Sequence, residues 1–110
     1  MLSFNDYILE KLKINKDIKI YNFYPKTNKE LSKLVRDLLK ERGKDANLND
    51  IDTSEVNSMW MLFNGLDPHN IDISEWNVSN VTNMYQMFCG CENFNCDLSK
   101  WDVSNVTKNV

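Results

Sequence analysis

The sequence predicts an α/β solenoid, in which 25-residue repeats stack on one another behind an N-terminal helix-strand-helix cap. Three observations predict it. Asp72-Ile73-Ser74-Glu75-Trp76-Asn77-Val78-Ser79-Asn80-Val81-Thr82 returns 25 residues later as Asp97-Leu98-Ser99-Lys100-Trp101-Asp102-Val103-Ser104-Asn105-Val106-Thr107, with eight of the eleven pairs identical. A weaker first copy covers 47–71, where Leu48, Ile51, Ser54, Val56, Met59 and Phe63 match Ile73, Trp76, Ser79, Val81, Met84 and Phe88. A period of this length marks units that cannot bury their own apolar face and must stack on neighbours. Ahead of the repeats, Thr27-Asn28-Lys29-Glu30 has the spacing of a helix capping box and leads into an apolar stripe.

The cap comprises residues 1–46. A first helix is expected over 3–13, with Ser3 and Asp6 at capping spacing and Phe4, Tyr7, Ile8 and Leu12 on one face. A strand is expected over 17–24, apolar on both faces, and Pro25 ends it. Leu31, Leu34, Val35, Leu38 and Leu39 then trace a second helix, with Gly43 as a left-handed stop.

The repeats occupy 47–71, 72–96 and 97–110. Each is expected to hold a short extended piece, a turn and a short helix. Ser79 would be the N-cap of that helix, and Val81, Met84, Met87 and Phe88 would follow at helical spacing. Stacking at 25-residue intervals would build ladders: Leu48/Ile73/Leu98, Ile51/Trp76/Trp101, Val56/Val81/Val106, Met59/Met84 and Phe63/Phe88.

A chain of 110 residues supports one domain with a modest core. It contains no apolar run of the roughly 20 residues a membrane helix needs. Nor does it begin with a basic stretch before an apolar core, so with Met1 as the start it is expected in the cytosol, unless it is a fragment of an exported surface protein. The net charge of −3 conceals an asymmetry. Residues 1–46 hold eleven Lys/Arg against seven Asp/Glu (+4), and residues 47–110 hold two Lys against nine Asp/Glu (−7). Such a division points to charge-steered association.

The stretch Asp72-Ile73-Ser74-Glu75-Trp76-Asn77-Val78-Ser79-Asn80-Val81-Thr82-Asn83-Met84-Tyr85-Gln86-Met87-Phe88, followed by Gly90-Cys91 and Phe94-Asn95, resembles the BspA-like leucine-rich-repeat proteins. Residues 27–52 resemble the segment that precedes such repeats. The resemblance implies a leucine-rich-repeat-like solenoid with adhesive or interaction roles, often on long surface proteins.

The residues themselves offer little for chemistry. Cys89, Cys91 and Cys96 lie close together with His69 one repeat away, yet the resemblance implies a small buried residue, often Cys, at Cys91, and no metal or cofactor is expected. A triad would have only His69, no Gly-rich phosphate loop exists, and the carboxylate pairs Asp50/Asp52 and Asp72/Glu75 sit at repeat-related positions. The sequence thus predicts no enzyme. Lys11, Lys13, Lys16, Lys19, Lys26 and Lys29 make the cap basic, but acidic repeats would repel phosphate, so neither nucleic acid nor membrane is an expected partner.

What remains is protein binding. Asp50, Asp52, Glu55, Glu75, Glu92 and Asp102 are expected to form an acidic strip for a basic protein partner, with Tyr21 and Tyr85 as aromatic anchors. Self-association through the open C-terminal repeat is a second expectation. An alternative function is a small phage-encoded inhibitor that blocks a nucleic-acid-handling bacterial defence enzyme.

Overall fold

A computed structural model describes residues 3, 5 and 20–109. The expected first helix and the first three residues of the expected strand fall outside these, apart from Ser3 and Asn5.

Helix α1 spans Asn28–Arg42. The Thr27 hydroxyl accepts the Glu30 N–H at 3.1 Å, satisfying one of the free amides of the first turn. The Glu30 carboxylate accepts the N–H of Lys26 at 2.8 Å, so the capping box closes one residue earlier than the usual pattern. Glu30 in the first turn and Lys40 and Arg42 in the last suit the helix dipole. Leu31, Val35, Leu38 and Leu39 are buried, each side chain contributing about 1.5–3 kcal/mol. Gly43 donates to the Leu39 carbonyl at 2.9 Å. Its φ of 90° and ψ of 174° correct the expected left-handed stop: the chain leaves through an extended, positive-φ conformation that is nearly confined to glycine.

Among the described residues of the expected strand there is one parallel bridge, Phe23 to Ile51. Asn22 and Phe23 donate to the Asp50 carbonyl, and Asp52 donates back to Phe23 at 2.8 Å. Three further parallel bridges join residues 25 apart: Asn47 to Asp72, Ser58 to Asn83, and Asn83 to Lys108. Successive 25-residue coils therefore lie side by side in register. Hydrogen bonds from Leu48 to Asp72, Met59 to Asn83, Met61 to Tyr85, Phe63 to Met87 and Met84 to Lys108 tie them together.

Within each coil the expected short helix is replaced by turns, which also run through residues 85–90. The reason lies in a five-residue cadence. At 47–51, 52–56, 72–76, 77–81, 97–101 and 102–106 an Asp or Asn side chain accepts the N–H two residues on, at 2.9 or 3.0 Å. In all six, the fifth residue donates its N–H to the carbonyl of the second. These are Asx-turns, in which the short polar side chain supplies the local hydrogen bond that a helix would draw from its backbone. Ser58 and Asn83 start a third turn of the same kind. Ser79 is not an N-cap: its hydroxyl donates to Asn77 Oδ1 at 2.7 Å as the third residue of its turn.

The second and fifth residues of the turns face inward. Leu48, Ile51, Val56, Ile73, Trp76, Val78 and Val81 are buried, as is Thr53, whose hydroxyl donates to the Asn77 carbonyl at 2.9 Å. Phe63 stacks between Trp76 (6.0 Å) and Phe88 (5.5 Å, rings 6° from parallel). The indole N–H of Trp76 reaches the Leu48 carbonyl at 2.8 Å, and Trp101 repeats this on Ile73 at 3.0 Å. Burial declines toward the C-terminal end, where Leu98, Trp101 and Val106 are half-buried and Val103 is exposed.

Candidate binding surface

The acidic residues singled out from the sequence divide by what they do inside the fold. Asp50 receives two parallel bonds of 2.9 Å from the Arg42 guanidinium and one of 2.8 Å from the Asn22 amide. Arg42 foremost holds its carboxyl down to about 2, and Asp50 in turn raises Arg42. Arg42 also lies 5.9 Å from the Phe23 ring, so this carboxylate clamps the helix and the Phe23 segment to the first coil.

Asp52 and Asp102 accept the N–H groups of Ser54 and Ser104 in their own Asx-turns. The Ser104 hydrogen bonds lower the Asp102 pKa. Glu75 pairs with Lys100, one coil further on, at 2.8 Å, which raises the lysine. Glu55 and Glu92 are exposed. Glu75 and Asp102 are exposed as well, whereas Asp50 and Asp52 are half-buried.

Two other polar groups have structural tasks. Asp67 accepts from Asn93 at 3.3 Å, and lies 3.4 Å from Lys44 and 3.5 Å from His69. Its pKa is lowered by Asn93 first and then Lys44. Asp72 is lowered mainly by its hydrogen bonds from Ser74, then from Asn49. No described group of three His, Cys, Asp or Glu residues converges as a metal site. Cys91 is half-buried against the Phe63 carbonyl at 3.3 Å, and desolvation pushes its thiol pKa up, while Cys89 is exposed.

The two aromatics expected as anchors differ in exposure. Tyr85 is 42% exposed, and Trp60, at the same position of the preceding coil, is 48% exposed. They follow Asn83 and Ser58 in equivalent turns, and the Met61 N–H donates to the Tyr85 carbonyl at 3.0 Å, holding the two segments together. Sequence reading missed Trp60, although subtracting 25 from Tyr85 finds it. Tyr21 is half-buried and packs edge-on against Tyr24 at 6.2 Å, leaving Tyr24 the more exposed ring.

A family model described as "Mycoplasma protein of unknown function, DUF285" matches residues 29–109. The chain belongs to this family. The match runs from the second residue of α1 to the last described residue, so the helix and the coils fall within one family unit. No curated protein and no solved structure matches the chain. Among the described residues no helix is long and apolar enough to cross a membrane.

Proposed function

We propose that this DUF285 chain is a non-enzymatic protein-binding module, built as a short leucine-rich-repeat-like solenoid of the BspA-like class. The observation that carries the reading is the Trp60–Tyr85 pair, two large aromatics exposed at equivalent positions of adjacent coils. Exposed aromatics on a hydrogen-bonded scaffold are pre-organised anchors, and such residues concentrate binding energy at interfaces. The polar groups that might have served catalysis are instead engaged in Asx-turns and ion pairs, which favours binding over chemistry.

Charge has a secondary part in this reading. The excess of acid over base in residues 47–110 would steer a basic protein toward the coils, with Glu55 and Glu92 as exposed carboxylates. The test compares immobilised wild type with a Trp60→Ala/Tyr85→Ala double variant and a Glu55→Lys/Glu92→Lys double variant, in lysate of the source organism. The aromatic variant should lose the captured protein at all salt concentrations. The charge variant should lose it mainly at low salt. Equal retention by all three would refute the reading.

A further inference from the structure

Helix α1 carries its charges in two rows. Lys29, Lys33, Arg36 and Lys40 follow one another at spacings of four, three and four residues, so they share one face, and all are exposed. Glu30, Asp37 and Glu41 each follow one of these cations by one residue and form a neighbouring row. Lys33 is paired with Asp37 at 3.0 Å, whereas Arg36 and Lys40 make no ion pair among the described residues.

Beside the C-terminal half of the cationic row, where α1 meets the end of the first coil, a cavity of about 250 Å³ is lined by Arg36, Leu39, Lys40, Lys44 and Leu66. Its two walls are fixed to each other. The Lys44 carbonyl accepts the His69 N–H at 2.9 Å, and the Asp45 carboxylate accepts the Asn70 N–H at 3.1 Å. Lys44 Nζ lies 3.4 Å from Asp67, which offsets its charge, so Arg36 and Lys40 leave the site net positive. Leu39 and Leu66 supply its apolar surface. Small-molecule pockets run to roughly 300–1,000 Å³, so this smaller one suits a single large side chain.

We propose that this pocket docks an acidic peptide segment of a partner protein, with one Phe- or Leu-sized side chain against Leu39 and Leu66 and flanking carboxylates on Arg36 and Lys40. Charge complementarity selects an acidic ligand. The apolar surface selects a peptide, because a phosphate group has nothing to place against it. A nucleic-acid duplex or an anionic membrane laid along the cationic row would also cover Glu30, Asp37 and Glu41, which repel it. A second copy of this chain is a poor occupant, since its exposed Glu55 and Glu75 are followed by Val56 and Trp76, which are buried. The pocket lies toward the opposite end of α1 from Trp60, whose carbonyl meets Asn28 at 3.2 Å, and its binding is independent of the Trp60–Tyr85 pair.

The experiment is fluorescence anisotropy of a labelled Gly-Glu-Glu-Phe-Glu-Glu-Gly peptide titrated with the whole chain at low salt. Binding should saturate. Replacing the peptide's Phe by Ser should weaken it about 10- to 100-fold, the worth of burying one large side chain. An Arg36→Glu/Lys40→Glu variant with unchanged far-UV circular dichroism should bind about 10-fold more weakly. Trp60→Ala/Tyr85→Ala should leave the affinity as it is, and the Leu39 and Leu66 methyl signals should shift in an NMR titration. The proposal would be overturned by no saturation up to millimolar protein, by equal binding of the Phe and Ser peptides, or by full binding to the charge variant. Displacement of the peptide by a DNA duplex or anionic vesicles more readily than by unlabelled peptide, or binding that tracks self-association of the chain, would overturn it equally.

Discussion

Arg42 and Asp50 face each other through two parallel N–H···O bonds of 2.9 Å, and this fork joins the last turn of α1 to the first coil. The pair is more than half shielded from solvent, so its bonds are worth more than those of an exposed ion pair. Because the folded pKa of Asp50 is depressed from 3.8 to about 2, its stabilisation is complete above the unfolded value and is lost as pH falls through about 2. The shift corresponds to at most about 2.5 kcal/mol. Urea unfolding of Arg42→Ala at pH 7 should therefore show a loss of about 1–2 kcal/mol. Asp50→Asn should flatten the fall in stability between pH 5 and 2, and an unchanged acid limb would count against this account.

The Asx-turns make a different prediction, because only the acceptor oxygen matters and not the charge. Asn47, Asn77 and Asn83 perform the task that Asp52, Asp72 and Asp97 perform elsewhere. Asp72 accepts from the Ser74 N–H at 3.0 Å and from the Ser74 hydroxyl at 2.6 Å. Asp72→Ala should cost about 1 kcal/mol at pH 7, whereas Asp72→Asn should stay within about 0.5 kcal/mol of wild type. Thermal unfolding of the two variants side by side measures the contrast, and equal losses would assign the effect to charge instead.

The repeat phase was legible because identical residues recur at a fixed offset, and the apolar ladders followed from it. Helix α1 was legible because its cap and its stripe are local signals. The turns were not read, because Val81, Met84, Met87 and Phe88 also fit a helical period. The distinguishing signal was the Asx residue recurring every five positions within a coil, as at Asp72 and Asn77. Asp50 was read as a surface charge because its partner, Arg42, lies on the preceding helix and carries no repeat signature. Tyr85 was legible as an exposed aromatic while Trp60 was passed over, since the first repeat is the most divergent.

Trp76 supports the coil boundary through one polar atom. Its indole N–H is the donor for the buried Leu48 carbonyl at 2.8 Å. Trp76→Phe would keep much of the ring's packing and leave that carbonyl with only the Ile51 N–H at 3.3 Å, at a cost of about 0.5–1.5 kcal/mol. Trp101 makes the corresponding bond to Ile73 from a half-buried position, where water can substitute for the indole. Trp101→Phe should therefore cost less than about 1 kcal/mol. Urea midpoints decide the matter, and equal losses at both positions would remove burial as the explanation.

The decline in burial along the stack sets the last prediction. Phe63 is fully buried between Trp76 and Phe88, whereas Phe88 is half-buried and has Phe94 at 4.3 Å on its outer side. Phe63→Ala opens a cavity within the buried core, and should cost about 3–5 kcal/mol. Phe88→Ala removes a ring already bordering an open cavity, so the side chains around it gain access to water instead of enclosing a void. Its loss should be roughly half as large by the same reasoning. Equilibrium urea unfolding monitored by tryptophan fluorescence should reproduce that order. The reverse order would mean that the C-terminal coil, and not the junction with α1, holds most of the stability.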